Sequence, residues 1–191
     1  MNRMKTRTSE PEEIPQVEGY TTEKRTISML AANIWAIGVL LAFIVIGWLL
    51  IIWIHDPVDY RNMLFLILAI LLAIVVHELI HGITWMAVTH SSFKHLSFGL
   101  LQGGVYCHID VPMKKRAYVV GALMPLMLLG VLPFIVSLFS GSVALMFFGA
   151  TMIGTAMGDV LIVWAIRKES LDTMVYDHPT EPGCVLYHPS E

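Results

Sequence analysis

The chain has 191 residues, of which 56% are hydrophobic and only 14% are charged, and its formal net charge is −3. Soluble globular domains carry roughly 25% charged residues, so this composition excludes an ordinary soluble domain and indicates an integral membrane protein. The two cysteines, Cys107 and Cys184, are too few to build a disulfide framework.

The first 26 residues are polar and rich in acidic side chains, and they contain Pro11 and Pro15. Because they show little apolar periodicity, we expect residues 1–26 to form a mobile or surface-lying arm. No secretory signal peptide is predicted, because the apolar run that follows is too long to be the core of one.

Four apolar runs follow, and each is long enough for a membrane-spanning helix, which needs about 20 residues. The third run contains Pro125 and Pro133, so we expect kinks in it. The runs define a membrane-embedded domain over residues 27–168, followed by a polar tail over residues 169–191. The predicted spans are residues 27–54, 62–88, 117–139 and 143–166.

Between the second and third runs, two short segments rich in β-formers flank Gln102-Gly103-Gly104. A glycine turn in such a position is typical of a β-hairpin, here over residues 97–109. The predicted fold is therefore an all-α integral membrane protein with four transmembrane helices and a short cytoplasmic β-hairpin between helices 2 and 3. The hairpin could offer a strand edge to an extended substrate segment.

The orientation follows from the basic residues. With four spans, both termini and the hairpin share one side, and that side holds eleven of the twelve lysines and arginines, with Arg61 as the exception. By the positive-inside rule, this side is predicted to be cytoplasmic.

The second run carries His77-Glu78-Leu79-Ile80-His81 in its later half. On a helix the two histidines lie on one face about one turn (~6 Å) apart, which is the arrangement in which two imidazoles bind one zinc ion. Glu78 is placed to act as the general base. These three side chains are the only ionisable ones between Met63 and Met86. Ionisable groups are costly in hydrocarbon, so the cluster predicts a functional site.

A catalytic zinc ion usually has three protein ligands and one open position. Depth in the membrane favours Asp159 as the third ligand. His81 lies nine residues before His90, near the cytoplasmic end of its helix, and Asp159 lies eight before Arg167, which places both roughly 12–13 Å from the same surface. Gly154 and Gly158 form a pair of small residues that predicts close approach of another helix. Three loop histidines remain as alternative third ligands: His90, His95 and His108.

The sequence resembles the bacterial membrane proteins of the "putative zincin peptidase" family, a domain of unknown function. More distantly it is similar to the site-2 proteases, which are intramembrane zinc metalloproteases. The resemblance covers about residues 60–168. It rests on His77-Glu78-Leu79-Ile80-His81-Gly82, the Gly-Gly hairpin ending in Tyr106-Cys107, the proline-bearing third run and Gly158-Asp159. In site-2 proteases the third ligand is an aspartate on a later helix, and the resemblance places this role on Asp159.

These observations predict a membrane-embedded zinc metallopeptidase that hydrolyses peptide bonds within or near the cytoplasmic face of the membrane. His77, His81 and Asp159 would bind Zn²⁺, and Glu78 would be the catalytic base. Two alternatives stay open: a zinc-dependent hydrolase or transferase acting on a lipid or small molecule, and a non-enzymatic metal-binding or transport protein. We expect a location in a bacterial cytoplasmic membrane, contact with bilayer lipids and a membrane-protein or peptide substrate, and no nucleic-acid partner.

Overall fold

A computed structural model describes residues 14–101 and 104–190. In this part of the chain, four helices are long and apolar enough to cross a membrane, and the prediction of four such helices is confirmed. Their bounds differ from the predicted ones by only a few residues, because long apolar runs between polar loops leave little freedom in where a helix begins and ends. The four helices are Met29–Ile54, Met63–Thr89, Lys115–Ser140 and Val143–Ala165.

The first two of these are continuous, with α1 over Met29–Ile54 and α2 over Leu66–Thr89 after one turn of 3₁₀ helix. The third is divided by a π-helical segment, Leu126–Val131, which lies between Pro125 and Pro133. Proline has no N–H to donate, so the backbone between the two prolines departs from regular α-helix where kinks were predicted. The remaining helices are α3 (Lys115–Pro125), α4 (Leu132–Ser140), α5 (Val143–Thr155) and α6 (Met157–Ala165).

The hairpin between the second and third long helices is present. Its strands, β2 (Leu96–Leu101) and β3 (Gly104–Ile109), pair antiparallel with Leu96 opposite Ile109. The predicted turn residues Gln102 and Gly103 lie outside the described part of the chain. Strand β3 packs against α2, so the hairpin lies next to the helix that carries the two histidines.

The prediction of an all-α fold is wrong, because the two ends of the chain form a second antiparallel sheet. In the part of the chain that the structure describes, this sheet has four strands. The predicted arm and polar tail are therefore partly β-structure, although residues 1–13 of the arm lie outside the described residues. The strands are β1 (Tyr20–Thr26), β4 (Met113–Lys114), β5 (Met174–Asp177) and β6 (Gly183–Pro189). Their order in the sheet is β1-β6-β5-β4.

The chain ends form a sheet because the tail holds a short apolar run, Cys184–Tyr187, with turn residues before it. Cys184 and Leu186 face one core cluster, which includes Trp85 of α2. Val185 and Tyr187 face the other side, against Ile14. A strand that is buried on both faces shows no alternation of apolar and polar residues, so its pattern is hard to distinguish from that of a loop.

Lys115 connects the start of the third long helix to the segment that follows the fourth. Its side chain is 5% exposed, and Nζ donates hydrogen bonds to the carbonyl oxygens of Arg167 (3.2 Å) and Glu169 (2.6 Å). These carbonyls follow the end of α6, where backbone acceptors have no partner within the helix. Lys115 therefore supplies a buried, charged donor to two partly buried backbone acceptors.

We expect Lys115→Met to lower the free energy of unfolding by about 2 kcal/mol, because it removes two partly buried hydrogen bonds from a charged donor. The measurement is the midpoint of thermal unfolding in detergent. Lys114→Met is the matched control, since Nζ of Lys114 pairs with Asp172 at the surface, where an ion pair contributes about 0–1 kcal/mol. Equal unfolding midpoints for Lys115→Met and Lys114→Met would contradict the role assigned to Lys115.

Candidate metal centre

Helix α2 presents His77 and His81 on one face. Their ring centroids are 4.8 Å apart, and the residues are only 3% and 4% exposed. The apolar sequence around them makes α2 a regular helix through this region, which fixes the spacing of the pair at about one turn. Two imidazoles thus lie side by side in the protein interior.

Asp159 approaches this pair from the fourth long helix. A short break at Ala156 separates α5 from α6, and Asp159 lies in the first turn of α6. Its Oδ2 is 3.2 Å from Nε2 of His77 and 3.5 Å from Nε2 of His81. One ligand-type atom from each of the three residues lies within 4.8 Å of the other two. The structure thus brings the two predicted histidines and the predicted aspartate together.

The donor set fits a zinc ion. Zinc binds imidazole nitrogen and carboxylate oxygen at about 2.0–2.2 Å in a tetrahedral arrangement, so neighbouring ligand atoms lie roughly 3.3 Å apart. The two measured nitrogen–oxygen distances, 3.2 and 3.5 Å, are close to this separation. Three protein ligands would leave the fourth position open, as in catalytic zinc sites.

The orientation of the His81 ring also fits a zinc ligand. Its Nδ1 is 2.9 Å from the carbonyl oxygen of Gly121 on α3, in a buried contact. A carbonyl can only accept, so Nδ1 carries the proton and Nε2 presents its lone pair towards Asp159 and His77. Metal-binding histidines commonly have such a partner, which fixes both the tautomer and the ring orientation.

Glu78 lies beside the three ligand-type residues and contacts the hairpin. Its Oε2 accepts a hydrogen bond from the backbone N–H of Cys107 at 2.8 Å. The Cys107 side chain is not part of the group of clustered ligand atoms. Burial and the nearby Glu78 carboxylate raise the pKa of its thiol to about 12. The predicted base is therefore held in place by the backbone of β3.

The walls of a cavity of about 390 Å³ include His77, Glu78, His81 and Asp159. Helix α1 packs against α4, α5 and α6, whereas α2 packs against α3, α5 and the hairpin. Because residues of both α1 and α2 line the cavity, it lies between these two helices. The other walls come from the hairpin, from α6 and from the turn between β5 and β6. Tyr106, Cys107, Gly158, Asp177, His178 and Glu181 also line the cavity.

The predicted pair of small residues has two different roles. A Cβ added at Gly154 would lie 3.0 Å from the carbonyl oxygen of Ala36, so Gly154 allows the close approach of α1. A Cβ added at Gly158 would meet nothing within 4 Å, so this glycine leaves open space beside Asp159. The prediction of close helix approach thus describes Gly154 and not Gly158.

The alternative third ligands lie elsewhere. His90 ends α2 in a left-handed conformation, and Nδ1 of His95 is 2.7 Å from Asp110 at the surface. His108 is buried, but its Nδ1 is 3.1 Å from Oδ2 of Asp177. Within the described residues, the one group of three or more potential ligands is the one that contains Asp159.

Two contributors to the site were not predicted. Trp85 stacks between His81 and Tyr118, with ring centroids 5.2 and 5.5 Å away. The Tyr118 hydroxyl donates to Asp177 at 3.2 Å, which links this stack to the strand β5. The spacing of Trp85, four residues after His81, was the available signal, because it extends the face of α2 that carries the histidines.

Gly121 is the position at which α3 contacts this stack. A Cβ built there would lie 2.1 Å from atoms of the Trp85 ring, so any side chain would push the ring away. We expect Gly121→Ala to lower the free energy of unfolding by about 2 kcal/mol through overpacking. We also expect zinc affinity to fall about tenfold or more, because the Gly121 carbonyl that orients His81 must shift. Zinc titration and thermal unfolding in detergent measure the two effects.

Gly38→Ala on α1 is the control for that substitution, since an added Cβ there meets nothing within 4 Å. It adds the same methyl group to another long apolar helix, and neither the free energy of unfolding nor the zinc affinity should decrease. Unchanged zinc affinity in Gly121→Ala would show that this carbonyl does not orient a ligand.

One family model matches the chain over residues 70–173, and its description is "DUF3267: Putative zincin peptidase". The matched region includes His77, Glu78, His81 and Asp159, and it ends before β5. No curated protein and no solved structure matches the chain.

Proposed function

The chain belongs to the DUF3267 "putative zincin peptidase" family, as its sequence predicted, and from this premise we propose that it is a membrane-embedded zinc metallopeptidase. It hydrolyses peptide bonds within or near the cytoplasmic face of a membrane. The single observation that carries the proposal is the meeting of His77, His81 and Asp159 beside Glu78 in one cavity.

The three ligands and the base have separate tasks. His77, His81 and Asp159 would hold the ion, and a zinc ion bound there would supply Lewis-acid activation of water and of a carbonyl group. Glu78 takes the proton from the attacking water and then gives it to the leaving amine. The hydrogen bond from the Cys107 amide holds one carboxylate oxygen of Glu78, which leaves the other oxygen for the proton.

The helices support a site inside the membrane. The α2 helix has a long apolar sequence on both sides of the histidine pair, and many of its apolar side chains are exposed, as expected for contact with lipid. Burial of ionisable groups at this depth is costly, so such groups are kept where they function. The excess of basic residues supports cytoplasmic chain ends and a cytoplasmic hairpin.

The substrate we propose is an extended peptide segment. Val105, Tyr106 and Cys107 of β3 line the cavity, and within the described residues β3 pairs with a strand only on its β2 side. A substrate strand beside β3 would form backbone hydrogen bonds and expose its peptide groups to the site. An unwound segment is required because the peptide bonds of a helix are shielded by its own side chains.

The test compares membranes of cells that express the chain with those of cells that do not, by sequencing newly formed protein N-termini. We expect new termini that map within or next to membrane segments, near their cytoplasmic ends, and that disappear when zinc is chelated. Altered lipids without new termini would instead support a lipid hydrolase that uses the same site. Termini that persist under chelation would contradict the proposal.

A further inference from the structure

His178 lies in the turn between β5 and β6, and it forms part of the cavity wall. This turn is outside the residues matched by the family model, so nothing in the comparison assigns it a role. The cavity that holds the candidate metal centre is thus completed by a segment that belongs to the tail of the chain.

The tautomer of His178 follows from its partners. The backbone N–H groups of Thr180 and Glu181 donate to Nδ1 at 3.3 and 3.1 Å. A ring nitrogen that accepts hydrogen bonds carries no proton, so in the neutral ring the proton is on Nε2. Burial and the nearby Lys24 ammonium lower the pKa of His178, which keeps the ring neutral. His178 is therefore an N–H donor at Nε2.

This donor has no acceptor in the described part of the chain. His178 is 7% exposed, and its Nε2 is buried without a hydrogen-bond partner. Buried donors are nearly always paired, and an unpaired one calls for an explanation such as a ligand. His178 lines the cavity, so a ligand bound there can supply the acceptor.

The turn holds the ring in place before any ligand binds. The N–H of His178 donates to the Gly183 carbonyl at 3.1 Å, and the N–H of Ile27 donates to the Pro182 carbonyl at 3.0 Å. The preceding residue, Asp177, accepts from Tyr118 and contacts His108. A donor fixed by this many contacts loses little conformational freedom when it binds, which favours a recognition role.

We propose that His178 is a substrate-binding residue whose Nε2–H donates a hydrogen bond to a backbone carbonyl of the bound peptide segment. This inference rests on the proposed peptidase function. Each peptide unit offers one carbonyl acceptor, so the contact recognises an extended main chain and not a particular side chain. A substrate strand beside β3 would have a second edge with free carbonyls, and His178 supplies a donor for one of them.

The test uses full-length protein in detergent, loaded with Co²⁺ so that visible absorption reports ligand binding at the metal. Two probes are titrated: acetohydroxamate, which binds the metal alone, and a tripeptide hydroxamate, which adds a peptide backbone. The variant is His178→Asn, whose side-chain oxygen can still accept from Thr180 and Glu181 but which lacks the donor at Nε2. His95→Asn is the control, because His95 is a surface residue paired with Asp110.

We expect His178→Asn to weaken the tripeptide hydroxamate about tenfold, as for one lost hydrogen bond, and to leave acetohydroxamate binding unchanged. Unchanged affinity for both probes would overturn the inference, and so would an equal loss for both, which would indicate an effect through the metal site. If neither probe binds the wild type, the proposed function itself fails and this inference fails with it.

A second measurement on wild-type protein does not depend on the folding of the variant. In a series of the same tripeptide hydroxamate, one backbone carbonyl at a time is reduced to a methylene group. We expect one member of the series to lose about tenfold in affinity beyond the others, because it lacks the acceptor for His178. Equal affinities across the series would overturn the inference.

Discussion

Wild-type protein purified in detergent is expected to contain about one zinc ion per chain, and Asp159→Asn is expected to bind zinc at least about 100-fold more weakly. The amide has almost the shape of the carboxylate, so the packing of α6 should be kept while the charged ligand is lost. The measurement is metal content by mass spectrometry, followed by zinc titration against a competing chelator.

Asp177→Asn is the matched control for this first prediction. Asp177 is a second carboxylate in the wall of the same cavity, but it contacts His108 and Tyr118 and is not among the clustered ligands. Its replacement should leave zinc content unchanged. If wild-type protein made with ample zinc and never exposed to chelator contains none, the peptidase proposal fails. The two α2 histidines would then be hydrogen-bonded packing groups.

Glu78→Gln is expected to reduce peptide hydrolysis by about 10²–10⁴-fold while leaving zinc bound, because it removes a general base but no ligand. The Gln side-chain oxygen can still accept from the Cys107 amide, so the contact between α2 and the hairpin should be kept. The measurement is the rate of cleavage of a membrane-protein substrate, identified from its new N-terminus, by protein reconstituted in lipid vesicles. Metal content is measured on the same samples.

The control for the second prediction is Glu181→Gln. Glu181 is an exposed carboxylate that lines the same cavity from the turn after β5 and is not among the clustered ligands. Glu181→Gln should change the cleavage rate much less than Glu78→Gln does. A metal-transport role predicts a different result, in which Glu78→Gln changes zinc flux into vesicles only modestly. Full hydrolytic activity in Glu78→Gln would show that another group acts as the base.

The features that depend on local spacing follow from the sequence alone. Four long apolar runs give four long helices, because each run must satisfy its backbone hydrogen bonds internally if it lies in hydrocarbon. The spacing of His77 and His81 places them on one helix face, and the family was recognised from residues around the same motif. Depth in the membrane and the nearby small residues favour the lone acid Asp159, and the structure brings it to the histidine pair.

The surroundings of this cluster depend on contacts between segments that are far apart in the sequence. The sheet at the chain ends pairs Tyr20 with Pro189, and no local pattern records a contact between residues so far apart. The group that orients His81 is the backbone carbonyl of Gly121, and a backbone carbonyl is present at every residue, so the sequence cannot mark it. His178 becomes a donor in the cavity wall only because the turn after β5 is held there. Spacing along a helix fixes which side chains are neighbours, but contacts between distant segments depend on how the whole chain packs.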